Sequence, residues 1–345
     1  MSFRFVTALL LAAALLIPAG AGLAQDGEKE ELEIGKWHYR LHVGLNMAQS
    51  AYSDNWRGGE NNNLAWTANL ITSAQRRYHN GINWATRLQL RFGQTHQQRT
   101  IDGENKWTRP EKTEDKIDLE SVALLEKGWK VDPYLSGRYQ SQFLDLSDPH
   151  GRELPVNPMT FQESAGIARH LIERENEFML ARLGWTQRQN FRRNFVDIVG
   201  DATENTWTHD GGIELQVDWN LKVLKDKVQW ISKASAYQPL GWSESSTFDA
   251  VSSDSLEAAG IEGNVGDLAT TVDVRWENTF DTQITKWITF SFYLEFRYDR
   301  YDNSVAPVLD DSGTQVVNQE EVANAITDGW QWKQTFGIGI SYRFE

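Results

Sequence analysis

Residues 336–344 carry an apolar or aromatic side chain at every even position and a small or charged residue at every odd position, and Glu345 follows them. Successive side chains of a β-strand point to opposite faces of a sheet. One face of this strand is therefore apolar, and the other is polar or bare. A wall made of such strands has one surface suited to lipid and one suited to water, so this alternation favours a membrane-spanning sheet.

The same alternation recurs along the chain and predicts about twelve strands, near residues 37–47, 64–78, 82–92, 116–126, 131–143, 163–172, 177–188, 207–223, 228–239, 268–280, 287–298 and 330–344. Short turns, such as that at Asn80 and Gly81, alternate with long polar loops near residues 94–115, 144–162, 189–206, 240–267 and 299–329. An even strand number with short turns at one end is the outer-membrane arrangement. We therefore predict an all-β fold, a transmembrane antiparallel outer-membrane β-barrel of about 12 strands with both termini in the periplasm.

The beginning of the chain predicts secretion. Arg4 precedes an almost unbroken apolar run over residues 5–17, and small residues up to Ala24 give a plausible cleavage site. This three-part pattern indicates a signal peptide at residues 1–24, because a membrane-anchoring helix needs roughly 20 apolar residues. Residues 25–34 are then a short acidic periplasmic tail, and residues 35–345 form the barrel.

Composition removes several function classes. The chain has no cysteine and a formal net charge of −14. Disulfides, thiol catalysis and cysteine-ligated metals are therefore excluded. An acidic balance argues against nucleic acid as a partner, because phosphate binding requires clustered Lys and Arg.

Tryptophan placement is an independent indication of a membrane wall. Ten tryptophans lie near predicted strand ends, at Trp37, Trp84, Trp219, Trp230 and Trp287 beside short turns and at Trp66, Trp185, Trp207, Trp330 and Trp332 beside long loops. Two such girdles suit the two membrane interfaces. The alternative is a soluble all-β protein with a Trp-rich core, which need not alternate short and long connections.

Two segments resemble known proteins. The stretch from Gln49 to Asn62, together with Trp84 and Gly93, resembles the opening of a family of uncharacterised outer-membrane proteins found mainly in Bacteroidota, a domain of unknown function. A terminal strand with near-terminal Phe344 resembles the closing strand of Gram-negative outer-membrane barrels, where the aromatic is part of the assembly signal. These resemblances imply fold, location and the barrel-assembly machinery as a partner, but no catalytic residue.

The Gln49–Asn62 stretch also contains a candidate constriction loop. Gly58 and Gly59 permit a sharp reversal, and Asn55 beside Trp56 can bond its own backbone. The loop either folds into the lumen or is a well-formed turn, and turn chemistry alone explains these residue types.

With the apolar face outward, charged side chains collect on the inner face. The predicted solute-guiding residues are Arg87, Arg91, Arg138, Arg182, Arg275, Arg297, Glu277 and Glu295, with Arg343, Asp118, Glu214 and Asp218 beside them. Charge inside a barrel must be hydrated or paired. Two interpretations follow: a water-filled passage that guides anionic solutes, or a salt-bridged interior that closes the barrel.

An outer-membrane hydrolase is a further alternative. None of the seven histidines is followed by Ser two residues later, as in a barrel phospholipase with a Ser-His-Asn site. We therefore name no catalytic residue, although paired carboxylates at the outer rim, as in omptin-type proteases, remain open.

The loops near 240–267 and 299–329 are rich in Asp and Glu but lack the spacing of a calcium loop, so we predict no metal or cofactor. They allow a third function, surface binding by a closed barrel. The favoured prediction is a passive channel for small hydrophilic solutes, with outer-membrane lipid as its surroundings.

Overall fold

The structure is a computed structural model that describes residues 33–51, 62–101, 104–148, 150–174, 177–196, 200–249, 254, 257, 264–285, 287–327 and 329–344. The predicted signal peptide and the candidate constriction residues Asn55, Trp56, Gly58 and Gly59 lie outside these residues.

The described elements are almost all strands. They are β1 (Trp37–Ser50), β2 (Asn63–Arg77), β3 (Ile82–Ile101), β4 (Glu104–Trp107), β5 (Glu111–Leu125), β6 (Asp132–Ser141), β7 (Leu144–Asp145), β8 (Leu154–Pro155), β9 (Met159–Arg174), β10 (Glu177–Phe195), β11 (Thr203–Val223), β12 (Val228–Trp242), α1 (Ser245–Asp249), α2 (Val265–Ala269), β13 (Asp273–Gln283), β14 (Ile288–Tyr298), α3 (Gln319–Ala325) and β15 (Trp330–Phe344).

Twelve of these strands form a closed antiparallel barrel. Wall neighbours are consecutive along the chain once the short strands β4, β7 and β8 are set aside, and β1 pairs with β15 to close the ring. The predicted fold class and strand number are confirmed. None of the described helices is long and apolar enough to cross a membrane.

The short turns require particular backbone conformations. Gly81, between β2 and β3, has φ +84°, and a Cβ there would lie 2.5 Å from the carbonyl oxygen of Glu126. Only glycine adopts this conformation and fits this space without strain. The turn therefore fixes the β2–β3 register and holds the end of β5 against it.

The outer wall carries a continuous apolar belt. Ile167, Leu183 and Leu215 are cross-strand neighbours on β9, β10 and β11, and each is 46% exposed. A contiguous exposed apolar surface of this kind is stable only against apolar surroundings. The belt identifies the surface that would face lipid.

Aromatic side chains lie at both edges of this belt. Exposed tryptophans at the short-turn end include Trp37, Trp84 and Trp287, and those at the long-loop end include Trp185, Trp207 and Trp330. Trp219 differs, because it is buried with its ring packed edge-on against Trp230 at 5.1 Å between centroids. Most of the predicted interface tryptophans are therefore exposed at the edges of the belt, but Trp219 is not.

Part of the outer wall is covered by protein. Leu90 faces outward but is only 4% exposed, because Phe143 packs in the same apolar cluster. The ring centroids of Phe143 and Phe92 lie 5.7 Å apart. The Asp115 carboxylate accepts hydrogen bonds from the backbone N–H groups of Phe143 and Leu144 at 2.6 and 3.0 Å. The segment after β6 is thereby held over β3, which strand alternation alone does not reveal.

Several predicted boundaries are wrong. The predicted loop at 189–206 shortens to 196–202, because β10 continues to Phe195 and β11 begins at Thr203. Most of the predicted loop at 94–115 is strand, because β3 continues to Ile101 and pairs with β4 and the start of β5. Polar side chains on both faces hide this extension from a search for apolar alternation. The predicted strand at 268–280 begins at Asp273 instead, because residues 265–269 form α2.

The belt predicts a depth-dependent cost for charge. We expect Leu215→Arg to lower the free energy of unfolding by about 2–4 kcal/mol, because it lies mid-wall, and Val196→Arg beyond the end of β10 to cost about 0–1 kcal/mol. Urea unfolding in lipid vesicles, followed by tryptophan fluorescence, measures both. Equal costs at the two positions would contradict a lipid-facing belt.

Candidate functional site

The structure places the charged residues predicted from the alternation on the inner wall. They are Arg87 and Arg91 on β3, Arg138 on β6, Arg182 on β10, Arg275 and Glu277 on β13, and Glu295 and Arg297 on β14. The predicted Arg343 lies on β15, and its side chain is outside the described set. What separates the six arginines is whether each guanidinium has a carboxylate partner.

One group of ion pairs joins opposite sides of the barrel. Arg138 donates two hydrogen bonds to Asp118, at 2.9 and 2.6 Å. Lys116, two residues away on β5, contacts Glu277 on β13 at 3.0 Å. Arg275 then contacts Glu277 at 2.5 Å and Glu295 at 2.9 Å. These contacts cross the lumen from β5 and β6 to β13 and β14.

A second group centres on Glu120. Its carboxylate contacts Arg182 on β10 at 2.7 Å and Lys233 on β12 at 2.6 Å, and Arg182 also contacts Asp218 at 2.9 Å. We did not single out Lys116, Glu120 or Lys233 from the sequence. Lys116 and Glu120 lie two residues on either side of Asp118 on β5 and face inward with it. The alternation that predicted Asp118 could therefore have identified both.

A buried charge is stabilised by a close partner of opposite charge. Removing one partner leaves the other buried and unpaired, which is far more costly than losing a surface ion pair. The two groups therefore brace β5 against β10, β12 and β13. They also occupy the part of the lumen between these strands.

Three arginines stand outside both groups. Among the residues that the structure describes, Arg87, Arg91 and Arg297 have no carboxylate oxygen within 4.0 Å. Arg91 instead lies over the ring of Tyr293, 4.3 Å from its centroid, and so reaches from β3 to β14. Arg87 and Arg297 are exposed although they face inward, so solvent reaches the inner wall at both positions.

A cavity of about 120 Å³ lies beside these arginines. Its lining includes Arg87, Arg91, Asn69, Gln89 and Thr335, together with several carboxylates of the ion-pair groups. One further lining carboxylate, Glu114, is paired with Lys333 of β15 at 2.8 Å. Glu114, Asp118, Glu120, Asp218 and Glu277 each have a cationic partner, and Asp281 is a sixth lining carboxylate. Arg87 and Arg91 are the lining arginines outside these ion pairs.

The long-loop end of the wall carries a cap, which we define as the described residues of 243–270 and 299–327. It has its own apolar core, formed with Trp242 of β12 by Phe248, Val265, Tyr301 and Val322. The sequence showed only that both loops are rich in Asp and Glu. In the structure the apolar residues of the two loops also pack together on their inner sides.

Asn303 anchors the cap to the inner wall. Its backbone carbonyl oxygen accepts hydrogen bonds from Trp242 Nε1 at 3.2 Å and from the Thr208 hydroxyl of β11, while its side-chain amide donates to the Ala269 carbonyl at 3.0 Å. Thr208 and Trp242 face the lumen. The cap therefore sits within the mouth of the barrel beside β11 and β12. Sequence analysis missed Asn303, because nothing in its local pattern distinguishes it.

Another outer loop is fixed against the wall. The side-chain amide of Asn157 donates to Asp145 at 2.7 Å and to the carbonyl of Arg193 at 3.0 Å. In the same loop, hydrogen bonds from the Arg152 side chain lower the pKa of Asp148 to about 2. This loop is thereby tied to the outer end of β10.

In the described part of the chain, no group of three His, Cys, Asp or Glu side chains could hold a metal ion. Of the histidines, His170 has an acidic neighbour, Glu126, at 3.8 Å.

Comparisons with known proteins give one family match and several remote structural likenesses. The family described as "Protein of unknown function (DUF3078)" matches residues 47–145. No curated protein matched the chain. An outer membrane channel from Pseudomonas putida F1 is 10% identical with a TM-score of 0.37, and covers 93% of this chain and 99% of its own.

Two autotransporter domains are similarly distant. The translocator domain of NalP from Neisseria meningitidis is 9% identical with a TM-score of 0.35, covering 99% of this chain and 98% of its own. The β domain of the Bordetella autotransporter BrkA is 10% identical with a TM-score of 0.30, covering 89% and 97%. Likenesses this remote add nothing to the architecture that the chain itself shows.

The Glu120 group predicts a large effect of a small change. We expect Glu120→Gln to lower the free energy of unfolding by about 3–5 kcal/mol, because it leaves Arg182 and Lys233 without a shared counter-ion. Glu163→Gln, an exposed outward position on β9, is the matched control, with an expected change within about 0.5 kcal/mol. Urea unfolding compares them, and equal values would contradict a bracing role.

The cap has its own test. Asn303→Asp removes the amide donor and places a carboxylate near Asp210, whose Oδ2 lies 3.5 Å from the Asn303 amide nitrogen. We expect cap residues to be cleaved by an added protease about tenfold faster or more, since a buried unsatisfied group costs about 1–3 kcal/mol. Asn205→Asp, exposed on the outer part of β11, adds the same charge and should leave the rate unchanged.

Proposed function

We propose that this protein is an outer-membrane β-barrel that passes small hydrophilic anions. The observation that carries the proposal is that three of the predicted inner-wall arginines, Arg87, Arg91 and Arg297, lie outside the ion pairs that join the strands across the lumen. Fixed cations along a confined path lower the barrier for anions, and a guanidinium holds a carboxylate in bidentate geometry.

The three arginines form a file along one side of the barrel. Four residues separate Arg87 from Arg91, about 13 Å along the strand. The Arg91 guanidinium rests on Tyr293, and Arg297 lies another four residues outward from that tyrosine. An anion would therefore meet a cationic group at three successive levels of the wall.

The size of the solute is limited by the same geometry. The ion pairs from β5 to β10, β12 and β13 fill one side of the lumen, and the cavity beside Arg87 and Arg91 measures about 120 Å³. That volume holds several waters but no large solute. The path therefore suits inorganic anions and small carboxylates.

Location and biogenesis belong to the same proposal. The apolar belt suits outer-membrane lipid, residues 1–24 suit export, and the short turns suit the periplasmic side together with both termini. The strand that ends at Phe344 pairs with β1 and closes the ring. In the barrels that it resembles, the terminal strand carries the assembly signal. The barrel-assembly machinery is accordingly the proposed partner during biogenesis.

A second function is favoured by the cap. Its apolar core and its anchor at Asn303 make a rigid surface at the extracellular mouth, and the ion pairs brace the wall beneath it. A closed barrel that binds partners through this surface would need no ion path. Conductance separates the two functions directly.

Purified protein in planar bilayers tests the channel. We expect wild type to conduct with anion preference, and Arg87→Gln, Arg91→Gln and Arg297→Gln together to shift the reversal potential in a salt gradient toward cations, because the file loses its fixed charge. The matched control is Arg109→Gln, Arg169→Gln and Arg174→Gln, three exposed positions outside the lumen.

The outcomes are distinct. An equal shift in both triple variants would mean that net charge, and not the file, sets selectivity. Absence of ion flux through wild type would contradict the channel and leave the closed, surface-binding barrel.

A further inference from the structure

The seam that closes the barrel is paired over only part of its length. Leu41–Asn46 of β1 pair with Gly339–Phe344 of β15. Beyond Asn46, β1 continues to Ser50 and stays paired with β2, and β15 extends outward to Trp330 while paired with β14. No described residue pairs with the facing edges of residues 47–50 and 330–338. The two strands therefore part above Asn46 and Gly339.

This gap lies at the level of the apolar belt. Phe336 and Ile338, on the unpaired stretch of β15, pair across the other edge with Phe292 and Phe290 in the inner half of β14. They are 69% and 59% exposed, and Ile340, which pairs with Leu45, is 67% exposed, so the apolar surface of β15 continues across the point where pairing ends. Unpaired backbone at this depth is tolerated where it is buried in protein or lines a water-filled cavity.

The cavity lies directly behind the gap. Asn46, Thr335 and Gly337 belong to its lining, so residues of both parted strands face it. Thr335 is the cross-strand partner of Tyr293, and the Arg91 guanidinium rests on that tyrosine ring. A guanidinium without a carboxylate partner is thereby held behind an opening whose outer edges are apolar.

We propose that the gap between β1 and β15 is a lateral opening that admits a single-chain anionic amphiphile, such as a long-chain carboxylate. Its head group would bind Arg87 and Arg91 in the cavity, and its alkyl chain would pass outward beside Met47, Phe336 and Ile338 into the lipid. The inference deepens the proposed function, since it uses the same arginines and names a ligand class for them.

A second copy of the chain is the competing occupant, because a free strand edge can pair with another. An added strand would satisfy the backbone of residues 330–338. It would leave the cavity and its two guanidinium groups without a counter-ion. The amphiphile accounts for both features, since a carboxylate matches the cations and a chain matches the apolar edges.

Binding is measured with a nitroxide-labelled hexadecanoate in phospholipid vesicles containing the full-length protein. Electron paramagnetic resonance reports the immobilised fraction, and the methyl ester with the same label corrects for ordinary contact with the wall. We expect the carboxylate to be immobilised at least threefold more than the ester. Arg87→Gln with Arg91→Gln should abolish the difference, while Arg169→Gln with Arg174→Gln should preserve it.

A cross-link tests the opening itself, and the absence of cysteine from the chain makes it selective. Met47→Cys with Ile338→Cys bridges the gap in the continuing register, with a disulfide or, where the thiols lie too far apart, a bismaleimide. Leu45→Cys with Ile340→Cys bridges a pair that is already formed. We expect the first bridge to remove carboxylate binding and the second to leave it unchanged.

Three results would overturn the inference. The first is equal immobilisation of the carboxylate and the ester. The others are a preference for the carboxylate that persists after the Met47–Ile338 bridge forms, or after both arginines are replaced. Cross-linking of Ile338→Cys between chains would show that a second copy fills the gap, which also overturns it. Chloride conductance measured on the same preparations distinguishes the lateral opening from the proposed anion channel. Conduction without amphiphile binding refutes the opening alone, and binding without conduction refutes the channel alone.

Discussion

The structure depends on one constraint: a backbone placed in lipid must find its hydrogen-bond partners within the protein. Twelve antiparallel strands meet it by pairing around a ring, with β1 and β15 as the last pair. Once the ladder is fixed, every side chain is assigned to lipid or lumen by parity, and a slip of one residue would reverse a whole strand. The apolar belt at Leu215 and the charged interior at Glu120 are two sides of that assignment.

Whether a side chain faces lipid or lumen depends only on its position along its own strand. The sequence therefore predicts the strands and the inward direction of Arg275 and Glu277. Partners across the lumen are not local. Lys116 and Glu277 are 161 residues apart and meet only because the ring curves. The cap escaped prediction for a related reason, since Tyr301 and Val305 lie in a loop without periodicity and form a core only with Phe248 and Val265. The packing of Phe143 over Leu90 is likewise a tertiary contact that local alternation does not predict.

The interior follows a single rule with two outcomes. A charge facing the lumen must be paired or hydrated. On the side of β5, β12 and β13, pairing prevails, and Lys116 and Glu120 brace opposite walls. On the side of β3 and β14, Arg87 and Arg297 are hydrated, and Arg91 is supported by an aromatic face. The ion pairs therefore join strands across the lumen even though such pairs add little net stability, and the proposed path would run beside the three arginines.

The seam shows where the ladder is weakest. A Cβ on Gly339 would collide with the Asn46 side chain and lie 2.7 Å from the Leu45 carbonyl oxygen, so glycine is required for the last close approach of β15 to β1. Glycine in a strand marks such approaches but adds no packing of its own. Pairing ends at this point, and Asn46 also lines the cavity. Asn46 is therefore both the last residue of β1 that pairs with β15 and a part of the cavity lining.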